Sequence, residues 1–364
     1  LGSPDDYFNG ARDDYPGAPV WRGEMYLEFH RGVYTSVHAL KDGNRRAEAG
    51  LAAAEWLVTV AARVGHPYPY EQLEQLWRRT LLLQFHDILP GSSIAWVNHE
   101  AVAEFTAIRA ELDQLTDDAW QALSQVSGDE TAGMSVVNPS HADRREVITV
   151  SGRPALVQIP AMAAKPLADA MVTPEHPVYV QRGRDAIRIA NGLVEVGIDT
   201  RDGLVNSITD LVAGRELLLA GQRANRLVLH PDYPDCFDAW ELQRQYRHSA
   251  NPVDDVTDLS VTEDPLRAQV RVERRVGNSS FVQTITVDAD SRAVEFSLDV
   301  DWAEQARVLK VDFPLDVAAR SSRDEIQFGY IERPIGTNTS WDDAHFESCG
   351  QQWMLLSEPR YAVA

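Results

Sequence analysis

The feature that most constrains the fold of this chain is a change of hydrophobic period near Gly128. Before this residue, apolar side chains recur at spacings of three and four, which is the period of an amphipathic helix. After it, short runs alternate between apolar and polar residues and are separated by turn residues, as is typical of strands. We therefore predict a multi-domain α+β chain with a three-helix bundle followed by antiparallel β-sandwich domains.

Three apolar stripes predict the bundle. They lie in residues 51–64, 69–85 and 105–126, and each is closed by glycine or proline. Because short loops join them, we expect an antiparallel three-helix bundle over residues 25–128, with its boundary at 127–131.

The C-terminal part predicts paired strands. Residues 193–198 and 204–208 are separated by a tight-turn sequence, which indicates a hairpin. Residues 281–287 and 294–300 alternate between apolar and polar, as half-buried strands do. Several such runs predict antiparallel β-sandwich structure over residues 129–364.

Charge and cysteine content narrow the classes of protein that the chain fits. Its formal net charge is −21 at pH 7, so we expect no nucleic acid and no membrane as partners. Cys236 and Cys349 lie far apart in the sequence and predict free thiols and a cytoplasmic location, with a single disulfide as the alternative. Residues 1–19 are rich in Asp, Gly and Pro and predict a loop. The sequence leaves open whether the chain forms a homo-oligomer.

A histidine and a carboxylate stand together where the second helix should break. His86 and Asp87 precede Pro90 and Gly91. A neutral imidazole is a good zinc ligand, and a neighbouring carboxylate can accept hydrogen bonds from sugar hydroxyls or orient the ligand. Alternatively, the pair ends the helix, where an imidazolium suits the helix dipole. The spacing alone favours this second role.

Three further clusters combine charged and aromatic residues. In residues 21–36, Glu28, His30 and Arg31 stand among aromatic side chains, which fits either a sugar pocket or a half-buried strand. Residues 232–240 and 332–342 are rich in Asp, Asn and aromatic residues, and we interpret both as turns between strands.

Several of these segments together resemble one enzyme family. Examples are Gln-Phe-His-Asp-Ile at 84–88, Asp-Ala-Trp at 238–240 and Asn-Thr-Ser-Trp-Asp at 338–342, with further matches at 23–32 and 325–334. They occur in the same order over nearly the whole chain. The chain resembles the bundle and β-domains of the retaining α-mannosidases of glycoside hydrolase family 38, in particular their cytosolic or vacuolar branch and its bacterial relatives.

The resemblance implies an architecture and a reaction. It implies an upstream α/β barrel, of which residues 1–24 are a remnant or linker, and a truncated C-terminal β-domain. It also implies retaining hydrolysis of terminal α-mannosides of glycans. His86 then matches one of four zinc ligands, Asp87 binds sugar hydroxyls, and His30 stands where relatives place an aromatic wall of the sugar subsite. Cobalt or another divalent ion would suit the same donors.

The resemblance also implies what this chain lacks. We expect the family's His-x-Asp zinc pair, its nucleophile segment and its acid/base loop to lie upstream. The chain then holds no catalytic residue, is inactive alone, and has an upstream catalytic domain and α-mannosyl oligosaccharides as partners.

Two other functions compete with this interpretation. One is a non-catalytic carbohydrate-binding or scaffold protein built on the β-sandwiches. The other is an all-helical metal phosphohydrolase that uses His86 and Asp87, which the strand-like pattern after Gly128 disfavours.

Overall fold

The computed structural model describes residues 2–20, 29–126 and 134–364. Glu28 and the rest of cluster 21–36 before Phe29 therefore lie outside the described residues, as does the predicted boundary at 127–131.

The N-terminal segment is helical, so the loop predicted for residues 1–19 is wrong over most of its length. Helix α1 spans Pro4–Asp14 and begins with a capping box. The Ser3 hydroxyl accepts the Asp6 N–H at 3.1 Å, and the Asp6 carboxylate accepts the Ser3 N–H at 3.1 Å. These hydrogen bonds lower the pKa of Asp6. Capping and a proline in the first turn outweigh the unfavourable content of Asp and Gly.

Three long helices confirm the predicted bundle. They are α2, His38–Ala62, α3, Tyr70–Leu83, and α4, Ala95–Val126. Their apolar stripes meet in one core, which contains Leu40, Ala47, Leu51, Ala54, Leu57, Val58, Ala61, Leu73, Leu76, Leu83, Ala101, Phe105, Ile108, Leu112, Leu115 and Ala119. Helices α2 and α4 both begin before the predicted stripes, and these earlier residues add Leu40, Ala47 and Ala101 to the buried core.

One arginine fixes the shorter helix α3 against α4. The Nε of Arg79 lies 2.5 Å from a carboxylate oxygen of Glu104, and its Nη1 lies 2.7 Å from Glu111. These two carboxylates raise the pKa of Arg79. The helix that ends beside His86 is therefore held by charge as well as by its apolar face.

Antiparallel strands and two short helices make up the rest of the described chain. The helices are α5, Leu167–Ala170, and α6, Ser340–Ala344. The strands are β1 Ser135–Asn138, β2 Arg144–Val150, β3 Arg153–Ile159, β4 Ala163–Pro166, β5 Tyr179–Arg182, β6 Ala186–Ala190, β7 Val194–Asp199, β8 Val205–Asp210, β9 Arg215–Glu216, β10 Arg226–Pro231, β11 Asn251–Pro252, β12 Val256–Glu263, β13 Arg267–Val276, β14 Ser279–Asp288, β15 Val294–Asp301, β16 Arg307–Asp312, β17 Ser321–Ile326, β18 Gly329–Pro334, β19 Met354–Glu358 and β20 Tyr361–Val363.

The five-stranded sheet and one of the two four-stranded sheets pack face to face, as predicted for a β-sandwich. One sheet has the order β5-β6-β7-β8-β9 and the other the order β12-β13-β14-β15. Side chains such as Ile189 and Val196 from the first sheet share a core with Val270 and Ile285 from the second. The predicted hairpin is the β7–β8 pair, and the two predicted alternating strands are β14 and β15.

Four further sheets lie in the described part of the β-domain. Their orders are β1-β4, β2-β3, β11-β10-β16 and β18-β17-β19-β20. The segment at 332–334, interpreted from sequence as a turn, is the end of strand β18. It is strand because its backbone pairs with residues 321–323 of β17, and Arg333 also donates to the buried carboxylate of Asp324 at 2.7 Å. The following segment does contain local bonding of the predicted kind, since Thr339 and Asp342 form a capping box at the start of α6.

Two further observations concern thiols and membranes. Cys236 and Cys349 are both free, which confirms the prediction of free thiols. Among the helices of residues 2–20, 29–126 and 134–364, none combines the length and the apolar character that a bilayer crossing requires.

The bundle core makes a testable prediction about stability. Leu76 on α3 is fully buried, whereas Leu82 on the same helix is 66% exposed. Leu76→Ala should lower the free energy of unfolding by about 2–5 kcal/mol, because it removes apolar contacts and leaves a cavity. Leu82→Ala should change it by less than about 0.5 kcal/mol. Urea denaturation followed by circular dichroism measures both, and equal losses would contradict the packing described here.

Candidate functional site

His86 and Asp87 lie in a compact turn between α3 and α4. The His86 side chain is 76% exposed and that of Asp87 is 41% exposed. The Nε2 atom of His86 lies 3.6 Å from Oδ2 of Asp87, which is too long for a direct hydrogen bond. The ring centroid of Phe85 is 4.1 Å from that of His86. The turn therefore presents an imidazole and a carboxylate side by side at the surface of the described chain.

The backbone of this turn is tied to the start of α4. The backbone carbonyl oxygen of Asp87 accepts a hydrogen bond from the Ser93 hydroxyl at 2.6 Å. The side-chain Oδ1 of Asp87 lies 3.5 Å from the Ser92 hydroxyl. The amide of Asn98 donates to the carbonyl oxygens of Gly91 at 3.4 Å and of Ser93 at 3.3 Å. The two functional groups are thus exposed while the chain that carries them is held.

Gln84 ties the other end of the turn to α2. Its side-chain nitrogen donates to Asn44 at 3.0 Å and to Glu48 at 2.9 Å. These residues support the site without being part of it. The sequence indicates them only by their place next to the His-Asp pair and at the start of the predicted first helix.

The turn also packs closely against the segment that precedes α2, which we call linker 29–37. Gly91 has a φ of 78°, and a Cβ at this position would lie 2.7 Å from the carbonyl oxygen of Ser36. Only glycine allows this conformation and this approach without displacement. The amine of Lys41 donates to the same Ser36 oxygen, and burial lowers the pKa of Lys41 to about 8.

His30 lies in linker 29–37 and contacts the β-domain. Its ring centroid is 5.0 Å from that of Trp240, in an edge-to-face arrangement. It precedes a short 3₁₀-helix, Arg31–Tyr34, so the half-buried strand considered for cluster 21–36 does not occur at these positions. His30 and the His86 turn are connected through the linker backbone and its contact with Gly91.

The structure joins two clusters that the sequence presented separately. The N–H of Gly32 donates to the carbonyl oxygen of Trp240 at 2.8 Å, and the hydroxyl of Ser36 donates to that of Ala239 at 2.7 Å. Residues 232–240 therefore contact linker 29–37 in addition to forming the turn predicted for them. Within this segment, burial and then the negative charge of Asp238 raise the pKa of Asp232.

The chain contains two His-x-Asp sequences, although the sequence interpretation placed this pair wholly upstream. The first is His141-Ala142-Asp143, between β1 and β2. Its carboxylate accepts the N–H of Ala161 at 2.9 Å. This hydrogen bond gives Asp143 a local structural role.

The second pair is His230-Pro231-Asp232, at the end of β10. The Nδ1 atom of His230 lies 3.2 Å and 3.1 Å from the carbonyl oxygens of residues 246 and 249, so this nitrogen carries the proton. Within residues 2–20, 29–126 and 134–364, His, Cys, Asp and Glu form no group of three or more that could hold a metal ion.

The imidazole and carboxylate groups at the turn could supply part of the ligand set of a metal site. Imidazole nitrogen and carboxylate oxygen are ligands that zinc accepts, and zinc normally takes four ligands. His86 and Asp87 supply two such groups in one exposed place, with no third donor close enough among the described residues. The pair therefore fits a metal only together with donors from elsewhere.

Comparisons with known families place the turn in a recognised domain. Residues 28–123 match the model described as the alpha mannosidase middle domain, and residues 189–364 match the model of the glycosyl hydrolases family 38 C-terminal domain. The His86 turn lies within the first match, and the segment from Asp232 to Glu241 lies within the second.

Curated relatives and a solved structure agree with these matches. The chain is 34% identical to human alpha-mannosidase 2C1 over its whole length and spans 36% of that relative. It is 30% identical to the Saccharomyces cerevisiae alpha-mannosidase, of which it spans 31%. A crystal structure of an alpha-mannosidase from Enterococcus faecalis shares the fold, with a TM-score of 0.71 at 14% identity over 98% of this chain and 52% of that one. The two domain matches in sequence order and 34% identity over the whole of this chain to a named alpha-mannosidase lead to one conclusion: the chain belongs to glycoside hydrolase family 38.

Proposed function

We propose that this chain is part of a retaining, metal-dependent α-mannosidase that hydrolyses terminal α-mannosides of glycans. Its relatives are named alpha-mannosidases, and they extend well beyond the segment that this chain matches. The observation that carries the proposal is the exposed His86–Asp87 pair, held on a rigid turn of the middle domain.

In this proposal His86 is one ligand of a divalent metal. Its side chain is accessible, and no hydrogen bond from the described residues holds its imidazole at a carbonyl group of α3, as a helix cap would. The bound ion, zinc or another divalent metal such as cobalt, would hold sugar hydroxyls and stabilise charge. The upstream part of the protein would supply the remaining ligands.

Asp87 is the proposed acceptor for sugar hydroxyls. Its carboxylate has one long contact with a serine hydroxyl and is 41% exposed, so it retains free acceptor capacity. His30 is proposed to face the sugar at the edge of the same site. Retention at the anomeric carbon requires two further carboxyl groups about 5–5.5 Å apart, which we assign to the upstream domain.

The surface around the turn supports a covering domain. Several large apolar side chains that lie within ten residues of His86 in the sequence are exposed, namely Leu81, Leu82, Phe85, Ile94 and Trp96. Exposed apolar surface of this kind marks contact sites between proteins or domains. We infer that the upstream catalytic domain covers it and closes the sugar site.

The free thiols of Cys236 and Cys349 support a cytoplasmic location for the whole protein.

The division of the site predicts that this chain alone is inert. The purified chain should show no turnover of an aryl α-mannoside with or without added zinc, because we assign the catalytic carboxylates to the upstream domain and the described residues contain no group of three or more metal-ligating side chains. Release of the aryl group is measured by absorbance, with the full-length protein as the positive control. Chelator-sensitive activity of the chain alone would contradict the proposal.

The metal role predicts a joint loss of metal and activity. In the full-length protein, His86→Ala should reduce bound metal and kcat/KM together, because alanine removes a ligand and replaces it with nothing. Metal content is measured by mass spectrometry after dialysis. His99→Ala, which changes an exposed histidine on α4, is the matched control and should behave as the unchanged protein. Full metal content and full turnover in His86→Ala would make His86 a helix cap and no more.

The sugar-binding role predicts a different pattern for Asp87→Asn. Asparagine keeps the shape but loses the charge, and a hydrogen bond to a charged group contributes roughly 1.5–3 kcal/mol. Because each 1.36 kcal/mol corresponds to a tenfold change in rate, kcat/KM should fall by about 10- to 160-fold. Metal content should stay nearly unchanged, and Asp117→Asn on α4 should have no effect on either measurement. Loss of metal in step with activity would make Asp87 a ligand instead.

A further inference from the structure

One arginine of linker 29–37 connects three parts of the chain. The Nη1 atom of Arg31 lies 2.9 Å from Oε1 of Glu241, and these two side chains are only 6% and 7% exposed. Its Nη2 donates to the carbonyl oxygen of Ala344 at 3.1 Å. The guanidinium carbon lies 4.3 Å from the centroid of the Phe346 ring. Arg31 is thus held between the segment after β10 and the segment after α6.

Because the side chains of Arg31 and Glu241 are both buried, each charged group depends on the other for a partner. A charge removed from water is stable only with a well-placed partner, and losing one member leaves the other buried and unpaired. The planar guanidinium suits the site because it can pair with a carboxylate, donate to a carbonyl group and stack on a ring at once. The pair therefore fixes the position of the linker backbone on the β-domain more strictly than an exposed ion pair would.

Backbone contacts next to Arg31 act in the same direction. The Gly32 N–H donates to the Trp240 carbonyl group at 2.8 Å, and the Ser36 hydroxyl donates to the Ala239 carbonyl group at 2.7 Å. A chain of direct contacts thus runs from Glu241 through the linker to Ser36.

The same chain reaches the candidate site. The carbonyl oxygen of Ser36 faces Gly91 at a distance that leaves no room for a Cβ. Gly91 closes the turn that carries His86, and its own carbonyl oxygen is bonded to Asn98. A shift of Ser36 therefore has to move the turn or open a gap beneath it, because packed interiors do not absorb displacement without loss of contact.

We propose that Arg31 is a positioning residue: with Glu241 it sets the linker against the β-domain, and through Ser36 and Gly91 it orients His86 and Asp87. The proposal rests on the proposed function for the identity of the oriented groups. It gives the C-terminal β-domain a part in the site, although none of its strands carries a proposed ligand.

The test uses the full-length protein with Arg31→Gln, Arg31→Lys and Glu241→Gln. We measure zinc affinity by competition with a chromogenic chelator, kcat and KM on an aryl α-mannoside, and the melting temperature. Supporting residues behind a metal ligand change affinity or activity by about 10–100-fold, so Arg31→Gln should weaken zinc binding and lower kcat/KM within that range. Arg31→Lys keeps the charge but loses the fork geometry and should recover part of both.

A matched arginine separates positioning from stability. Arg145 pairs with Asp290 at 2.6 Å inside the β-domain, and it too donates to a carbonyl group, that of Thr173. Arg145→Gln should lower the melting temperature while zinc affinity and kcat/KM stay within about twofold of the unchanged protein. Ser36→Ala removes the Ser36–Ala239 hydrogen bond without leaving a buried charge unpaired, and it should also weaken zinc binding. This variant tests the proposal even if the Arg31 variants do not fold.

The outcomes distinguish this inference from the proposed function. If His86→Ala loses zinc but folded Arg31→Gln and Ser36→Ala keep it, positioning by Arg31 is wrong and the metal role stands. If His86→Ala keeps zinc as well, the proposed function itself fails. If Arg145→Gln weakens zinc binding as much as Arg31→Gln does, the effect is general destabilisation and the inference is overturned.

Discussion

The close approach of Gly91 to the Ser36 carbonyl oxygen determines where the His86 turn lies on the bundle. Helix α3 ends before this turn and α4 begins after it, so neither helix alone fixes the direction of His86. The contact requires a positive φ and the absence of a side chain, which glycine alone provides without strain. A chain segment far from the turn in sequence thereby supports its base. Hydrogen bonds from Asn98 and Ser93 then hold the turn from the side of α4.

The sequence predicted those features that depend on local pattern. The stripe that includes Leu76 and the alternation in β14 each follow from one element burying one face, so periodicity was sufficient. Helix α1 was missed because its signal is a single capping box at Ser3, whereas its composition is typical of a loop. The strand at 332–334 was missed because the partner of Arg333 lies on a neighbouring strand.

Contacts between distant segments explain what remained hidden in the site. His86 and Asp87 are adjacent in the sequence, so their proximity could be predicted without knowledge of the fold. Arg31 and Glu241 are separated by 210 residues, and neither the linker nor the turn after β10 shows a pattern that indicates its partner. Both clusters combined charged and aromatic residues, and that shared composition was the one available signal. The two His-x-Asp sequences show the opposite case, since neither has the further donors of a metal site among the residues that the structure describes.

An exposed histidine on a restrained backbone suits the metal site that we propose to be shared between domains. If His86 were buried within the bundle, donors from another domain could not reach it. If its turn were free, every binding event would have to order the turn first, at a cost in conformational entropy. The described turn avoids both problems, because its hydrogen bonds and its contact with Ser36 restrict the backbone while the imidazole remains accessible. The buried pair of Arg31 and Glu241 extends this restriction to the β-domain, so the geometry of the site depends on the packing of two domains.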